Sequence, residues 1–109
     1  MSEAAEVRVV LVTAPGAEQA RSLARALVEA RLVACANLVP GVRSIYRWEG
    51  QVQEDEEVLL VLKTRADRGE ALARRIRELH PYDLPEVIEL PAAGGSVDYL
   101  DWVRAESLA

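Results

Sequence analysis

Phenylalanine is absent from these 109 residues, and cysteine, histidine and lysine occur once each, as Cys35, His80 and Lys63. One cysteine excludes an internal disulfide and any multi-cysteine metal knuckle. One histidine, with no cysteine near it in sequence, leaves no Ser-His-Asp set, no close Cys-His pair and no cofactor fingerprint, so the chain reads as a non-enzyme. No apolar run reaches the roughly 18 residues of a membrane span, and no basic start leads into a signal-like apolar stretch. The expected location is therefore the cytoplasm. A formal net charge of -5 argues against a nucleic-acid partner, because phosphate binding needs a clustered basic surface. The aromatic residues do not match the stacking pattern of RNA-binding domains of similar size either.

What is present is apolar and patterned. Half of the residues are hydrophobic, enough for one core in one domain spanning residues 1–109, with 1–6 a polar, frayed start. Val7 to Thr13 is a β-branched run ending at Ala14-Pro15-Gly16, a buried strand followed by a break. Ala20, Leu23, Ala24, Leu27 and Val28 then fall at helical spacing. A long strand from Leu32 to Trp48 follows, with Pro40-Gly41 as a bulge that suits an edge position. Glu49-Gly50 makes a hairpin turn, and Gln51 to Thr64 returns, acidic at first and fully apolar from Val58 to Leu62. Thr64-Arg65-Ala66-Asp67 has the form of a capping box with Asp for Glu. Leu72, Ile76 and Leu79 give a second helical stripe that Pro81 ends. Glu86 to Leu90 is a short strand, and Ser96 is the N-cap of a last helix with Leu100 and Val103 inward.

The order strand-helix-strand-strand-helix-strand plus a C-terminal helix is α+β, the ferredoxin-like split β-α-β arrangement, with helices on one face of an antiparallel sheet. Its usual strand order, 4-1-3-2, puts the end of the first strand beside the start of the fourth, and the start of the second strand at the opposite edge. Cys35 and His80 are therefore too far apart within one chain to share an ion. The long hairpin overruns the domain and carries Ile45, Tyr46, Trp48 and Val52 beyond it. Large apolar side chains there predict an oligomer interface. If Glu49-Gly50 are the two turn residues, Arg43 lies opposite Glu56. The acidic run Glu54–Glu57 reads as a solvated or salt-bridged strand start.

Five segments in this order, Val12-Thr13-Ala14-Pro15, Ala34-Cys35-Ala36-Asn37-Leu38-Val39-Pro40-Gly41, Ser44-Ile45-Tyr46-Arg47-Trp48-Glu49-Gly50, His80-Pro81-Tyr82-Asp83-Leu84-Pro85-Glu86 and Tyr99-Leu100-Asp101-Trp102, resemble the CutA family of divalent-cation tolerance proteins, over Val7 to Arg104. The resemblance implies a homotrimer similar in architecture to the PII signalling proteins, a cytoplasmic location, and binding of divalent metal ions, copper above all. Among copper ligands assigned in some relatives, only His80 carries over; Val12 and Leu79 stand where those relatives have cysteine and histidine, and neither can ligate.

The residues themselves offer His80 with Asp83 and Glu86 three and six positions on, a mostly hard donor set open to several divalent ions. His80 also reads as a helix-ending residue suited to a helix C-terminus, and Cys35 as a small buried hydrophobe. The competing reading is a PII-like signalling module that holds a small molecule or anion in a cleft between subunits, the Thr13–Gly16 loop offering a helix N-terminus.

Overall fold

The computed structural model describes residues 5–108. The first four of the residues expected to fray lie outside that range. Four strands, β1 (Val7–Ala14), β2 (Cys35–Trp48), β3 (Gln51–Arg65) and β4 (Ile88–Pro91), alternate with helices α1 (Ala17–Glu29), α2 (Gly69–Leu79) and α3 (Val97–Glu106). The sheet order is β2-β3-β1-β4, and every pairing is antiparallel. This is the split β-α-β topology expected from the pattern.

Side chains alternate across a sheet, and that parity builds the core. Val10, Val12 and Ala14 of β1 and Val58, Leu60 and Leu62 of β3 point to one face and are buried there with Ala20, Leu23, Ala24 and Leu27 of α1 and Leu72 and Ile76 of α2. Val28 and Leu79, expected in the helical stripes, lie at their margins and are partly exposed. The third helix packs elsewhere: Val103 joins Val7 and Ala34 in a second small cluster, and Val7 has the opposite parity to Val10. So α1 and α2 cover one face, while α3 covers an end of the other. The rest of that second face carries Val9, Leu11, Leu59 and Val61, half-buried, beside exposed Val39, Ile88 and Leu90.

The β2–β3 ladder outruns the sheet. Partners of β1 on β3 stop at Val58, yet the hairpin continues to Trp48 opposite Gln51. Glu49 and Gly50 both have positive φ, the backbone of a type I′ turn, whose twist matches that of the strands. Arg43 does lie opposite Glu56, and its guanidinium reaches Glu54 at 3.6 Å and Glu56 at 3.8 Å. Between Val39 and Val42 the register slips by one residue, with Gly41 at φ 75°. This bulge bends the hairpin where it leaves the core.

One local expectation, the capping box at Thr64–Asp67, fails for a physical reason. Thr64 does not cap α2: its hydroxyl is buried and donates to the Leu32 carbonyl at 2.7 Å, while Asp67 pairs with Arg65 at 2.6 Å. The chain enters α2 through a 3-10 turn, Ala66–Arg68. Instead of a capping side chain, the Glu89 carboxylate lies against Gly69, where an added Cβ would come within 2.7 Å of Glu89 Oε2; negative charge suits that end of a helix. Ser96, by contrast, caps α3 as expected, its hydroxyl oxygen accepting from the Tyr99 N–H.

Helix α1 ends in a Schellman motif. Leu32 N–H donates to the Leu27 carbonyl and Arg31 N–H to the Val28 carbonyl, with Arg31 at φ 59°, a position glycine usually takes. Arginine is there because its side chain spans to the end of α3: Nε donates to the Leu108 carbonyl and Nη2 to that of Ala105. Replacing Arg31 by Ala removes these bonds and keeps the backbone strain, so urea unfolding should show a loss of about 1–2 kcal/mol. Arg31→Gly loses the same bonds but relieves φ, and should be the milder change.

A candidate acidic and aromatic cleft

The chain crosses from α2 on one face to β4 at the sheet edge through residues 80–87, and His80 fixes that crossing. Pro81 forces the preceding residue out of helical geometry, and His80 has φ -80° and ψ 140° while its N–H still closes the last turn on the Ile76 carbonyl. The ring is only 7 % exposed. Its Nε2 donates to the Thr13 carbonyl at 2.7 Å, and its Nδ1 accepts from the Tyr82 N–H at 3.1 Å. The two partners set the tautomer: a carbonyl can only accept and an amide N–H can only donate. Both ring nitrogens are therefore spoken for by backbone, and the imidazole joins the end of β1 to the loop.

This corrects the expected grouping of His80, Asp83 and Glu86 as one metal-ligand set. Among the described residues no three His, Cys, Asp or Glu side chains are placed to hold an ion together. His80 lines a small hollow of about 210 Å³ against α1 with Ala14, Ser22 and Leu79, whereas Asp83 and Glu86 line a different, larger cleft. Cys35 is distant, as expected. It pairs with Lys63, whose other neighbour is Val9, four residues along β1 from Thr13. That is roughly 13 Å along the strand and two strand spacings, about 10 Å, across. Its Sγ lies 3.5 Å from the Tyr99 hydroxyl.

The larger cleft, about 710 Å³, opens between the overhanging hairpin and the Pro81–Glu86 loop. The residue that sequence reasoning missed is Glu57. Expected in a solvated acidic run, it is only 6 % exposed. Its Oε2 accepts from the Tyr82 phenol at 3.0 Å. The signal was parity: Glu57 shares its face with Leu59 and Val61, whereas Glu54 and Glu56 share theirs with Arg43. Tyr82 was missed too; its ring stacks at a tilt on His80, centroids 4.8 Å apart. Tyr46, expected at an interface, donates its phenol to Asp55 and lines the cleft with Ile45 and Trp48. Ile45 and Val52 are 66 % and 65 % exposed.

The local field is negative. Burial and then the Glu57 hydrogen bond push the Tyr82 phenol up to about 12. The Asp55 hydrogen bond raises Tyr46. Partial burial, and next the Glu57 charge, raise the Glu86 carboxyl above its usual range. A cleft of this kind favours cations and keeps its phenols protonated.

The fold and cleft define the chain as a ferredoxin-like α+β protein with an acidic, aromatic-walled cleft at the open end of its sheet. Comparison with known proteins supplies the family. The sequence model described as CutA1 divalent ion tolerance protein matches residues 8–106. The divalent-cation tolerance protein CutA of Thermus thermophilus is 54 % identical over 96 residues, 88 % of this chain and 93 % of that protein. The chloroplastic CutA protein of Arabidopsis thaliana is 49 % identical over 88 % of this chain but only 53 % of its own length. The solved structure of CutA1 from Oryza sativa superposes with a TM-score of 0.91 at 44 % identity, over 96 % of each chain. The chain belongs to the CutA1 divalent ion tolerance family.

Alkaline titration of tyrosine absorbance tests the cleft. Tyr82 should ionise near pH 12, and Tyr82→Phe should remove that step. Glu57→Gln should bring it down toward ordinary tyrosine. Because the folded pKa is raised, the stability linked to Tyr82 should be complete below about pH 10 and lost as pH rises through about 12.

Proposed function

We propose that the chain is a non-enzymatic homotrimer that binds divalent cations in the acidic cleft, in keeping with the tolerance role for which its family is named. The observation that carries this reading is Glu57: a carboxylate only 6 % exposed whose one hydrogen-bond partner among the described residues is the neutral Tyr82 phenol. Burying a charge without a counter-charge is costly, and a bound cation removes that cost. Glu57 and Glu86 supply oxygen donors from one chain, with Asp83 at the same cleft. Within one subunit the set is incomplete, which suits an ion that keeps several waters or takes further ligands from a neighbouring copy. For any given oxygen and nitrogen donor set Cu(II) is bound most tightly among the first-row divalent ions, so copper remains the leading cation although His80 and Cys35 do not supply the donors.

The trimer rests on surface chemistry. Val39, Ile88 and Leu90 lie exposed on the sheet face that α3 leaves open, and Ile45 and Val52 stand on a hairpin whose outer half has, among the described residues, no further strand beside it. Monomers rarely leave such contiguous apolar area in water, and open strand edges invite pairing with another copy. Sedimentation equilibrium should return three times the 12.0 kDa chain mass; a stable monomer overturns the reading.

Calorimetric titration with Cu(II), Zn(II) and Mg(II) tests the site. Saturable binding should weaken by at least about tenfold in Glu57→Gln. Binding that survives Glu57→Gln but disappears in His80→Asn would return the imidazole to the ligand set.

A further inference from the structure

The connection from Thr13 through His80 to Tyr82 holds only while the imidazole is neutral. A histidine ordinarily takes up a proton between about pH 5 and 8, and His80 is the one histidine of the chain. Its Nε2 donates to the Thr13 carbonyl at 2.7 Å, and its Nδ1 accepts from the Tyr82 N–H at 3.1 Å. A second proton on the ring has one place to go, Nδ1. There it meets an amide N–H that can only donate. The protonated ring and the Nδ1–Tyr82 bond therefore exclude each other. Both bonds lie within one chain, around a ring only 7 % exposed, so they stand whether or not other copies cover the hairpin.

The elements packed around the ring bring no positive charge to it. His80 ends α2, where the free carbonyls of a helix favour a positive group, and the last charged side chain of that helix, Glu78, is exposed and pairs with Arg75 at 3.1 Å. On the α1 side the hollow is lined by Ala14, Gln19, Ser22, Leu23 and Ala26, all uncharged. On the loop side Tyr82 stacks on the imidazole, centroids 4.8 Å apart, and beyond its phenol stands the Glu57 carboxylate of β3. Asp83 and Glu86, on the same loop, line the other cleft. Burial disfavours a charged ring, and a loop that opens to water removes that cost.

We infer that His80 is an acid-sensitive latch on the Pro81–Glu86 loop. The neutral ring holds the Tyr82 amide and keeps the loop against the ends of β1 and β3. When Nδ1 takes a proton, the Tyr82 N–H loses its acceptor and the loop swings away to let water reach the imidazolium. Nε2 keeps its bond to the Thr13 carbonyl, while the Tyr82 phenol leaves Glu57 with the loop. The sign follows from the closed form holding the neutral ring: stability of the closed loop is complete above the titration of the imidazole and is lost as pH falls through it. The latch depends on hydrogen bonds within one chain and not on the divalent-cation reading.

NMR of the nitrogen-15-labelled full chain, in its native oligomeric state and freed of metal with a chelator, tests the latch. At about pH 8 the ring nitrogens should report the Nε2–H tautomer. Between about pH 8 and pH 5 the ring should take up its proton, and the Tyr82 amide should lose its hydrogen-bonded shift in the same step. Hydrogen exchange at that amide, corrected for its intrinsic pH dependence, should quicken by at least about tenfold, the equivalent of one lost hydrogen bond. Amides of the β1–β3 ladder should stay protected, which separates loop release from acid unfolding. His80→Asn offers a carbonyl oxygen near the place of Nδ1 and does not titrate, so its Tyr82 amide should show no step. Tyr82→Phe keeps the backbone N–H, and its step should persist. If His80→Asn does not fold, the coincidence of the two steps in the unaltered chain decides alone. An Nδ1–H tautomer at neutral pH, ring protonation without change at the Tyr82 amide, a step that survives in His80→Asn, or a ring that stays neutral until the β1–β3 amides unfold would each overturn the inference.

Discussion

The β2–β3 ladder is the element on which the rest of the molecule depends. Its inner half, Cys35–Val39 against Leu59–Lys63, belongs to the core sheet, and its outer half, Val42–Trp48 against Gln51–Glu57, has no other strand beside it. One continuous hydrogen-bonded ribbon thus serves as both core and lever. The type I′ turn at Glu49-Gly50 fixes the register from the tip, and the bulge at Pro40-Gly41 inserts the one extra residue that separates the halves. With strict period-2 alternation, that register also decides which acidic residues meet water. Glu54 and Glu56 come out with Arg43, and Glu57 turns toward the cleft.

His80 does for the loop what the turn does for the hairpin. A proline directly after a helix forces the chain outward, and without a tether the Pro81–Glu86 segment would gain little from any one position. The imidazole supplies the tether by bonding the Thr13 carbonyl on one side and the Tyr82 amide on the other. Tyr82 then reaches Glu57. The line Thr13, His80, Tyr82, Glu57 ties the end of β1 to the base of the hairpin through the loop between them. It explains how a single histidine shapes the cleft while both its ring nitrogens are bonded to backbone.

The two faces of the sheet have different fates. One is sealed by α1 and α2 with fully buried aliphatic side chains. The other receives α3 only at the end near Val7 and Ala34, where Arg31 pins the C-terminal turn from the far side of α1. The remaining apolar strip and the open hairpin edge are the two surfaces that the proposed trimer would cover. The cleft lies between them, so an ion or small molecule bound there would sit close to neighbouring copies as well as to its own chain.

Much of this was legible in the sequence because it depends on local periodicity. The strand and helix order, the strand order, the hairpin turn, the pairing of Arg43 with Glu56, the Ser96 cap and the separation of Cys35 from His80 all follow from apolar spacing, turn residues and the usual strand order of the split β-α-β fold. The family resemblance rested on side chains quoted in order along the chain. What the sequence left undecided depended on which atoms meet across distant segments. Thr64 fits a capping box locally, but the Leu32 carbonyl buried beside it needed a donor more. His80, Asp83 and Glu86 are close in sequence, but the imidazole is used on the Thr13 side and the carboxylates on the other. Glu57 looks like its three acidic neighbours until the strand register and the Tyr82 phenol set it apart. Periodicity assigns a residue to a face; only tertiary packing decides which donors and acceptors reach it, because those bonds are made by residues dozens of positions away.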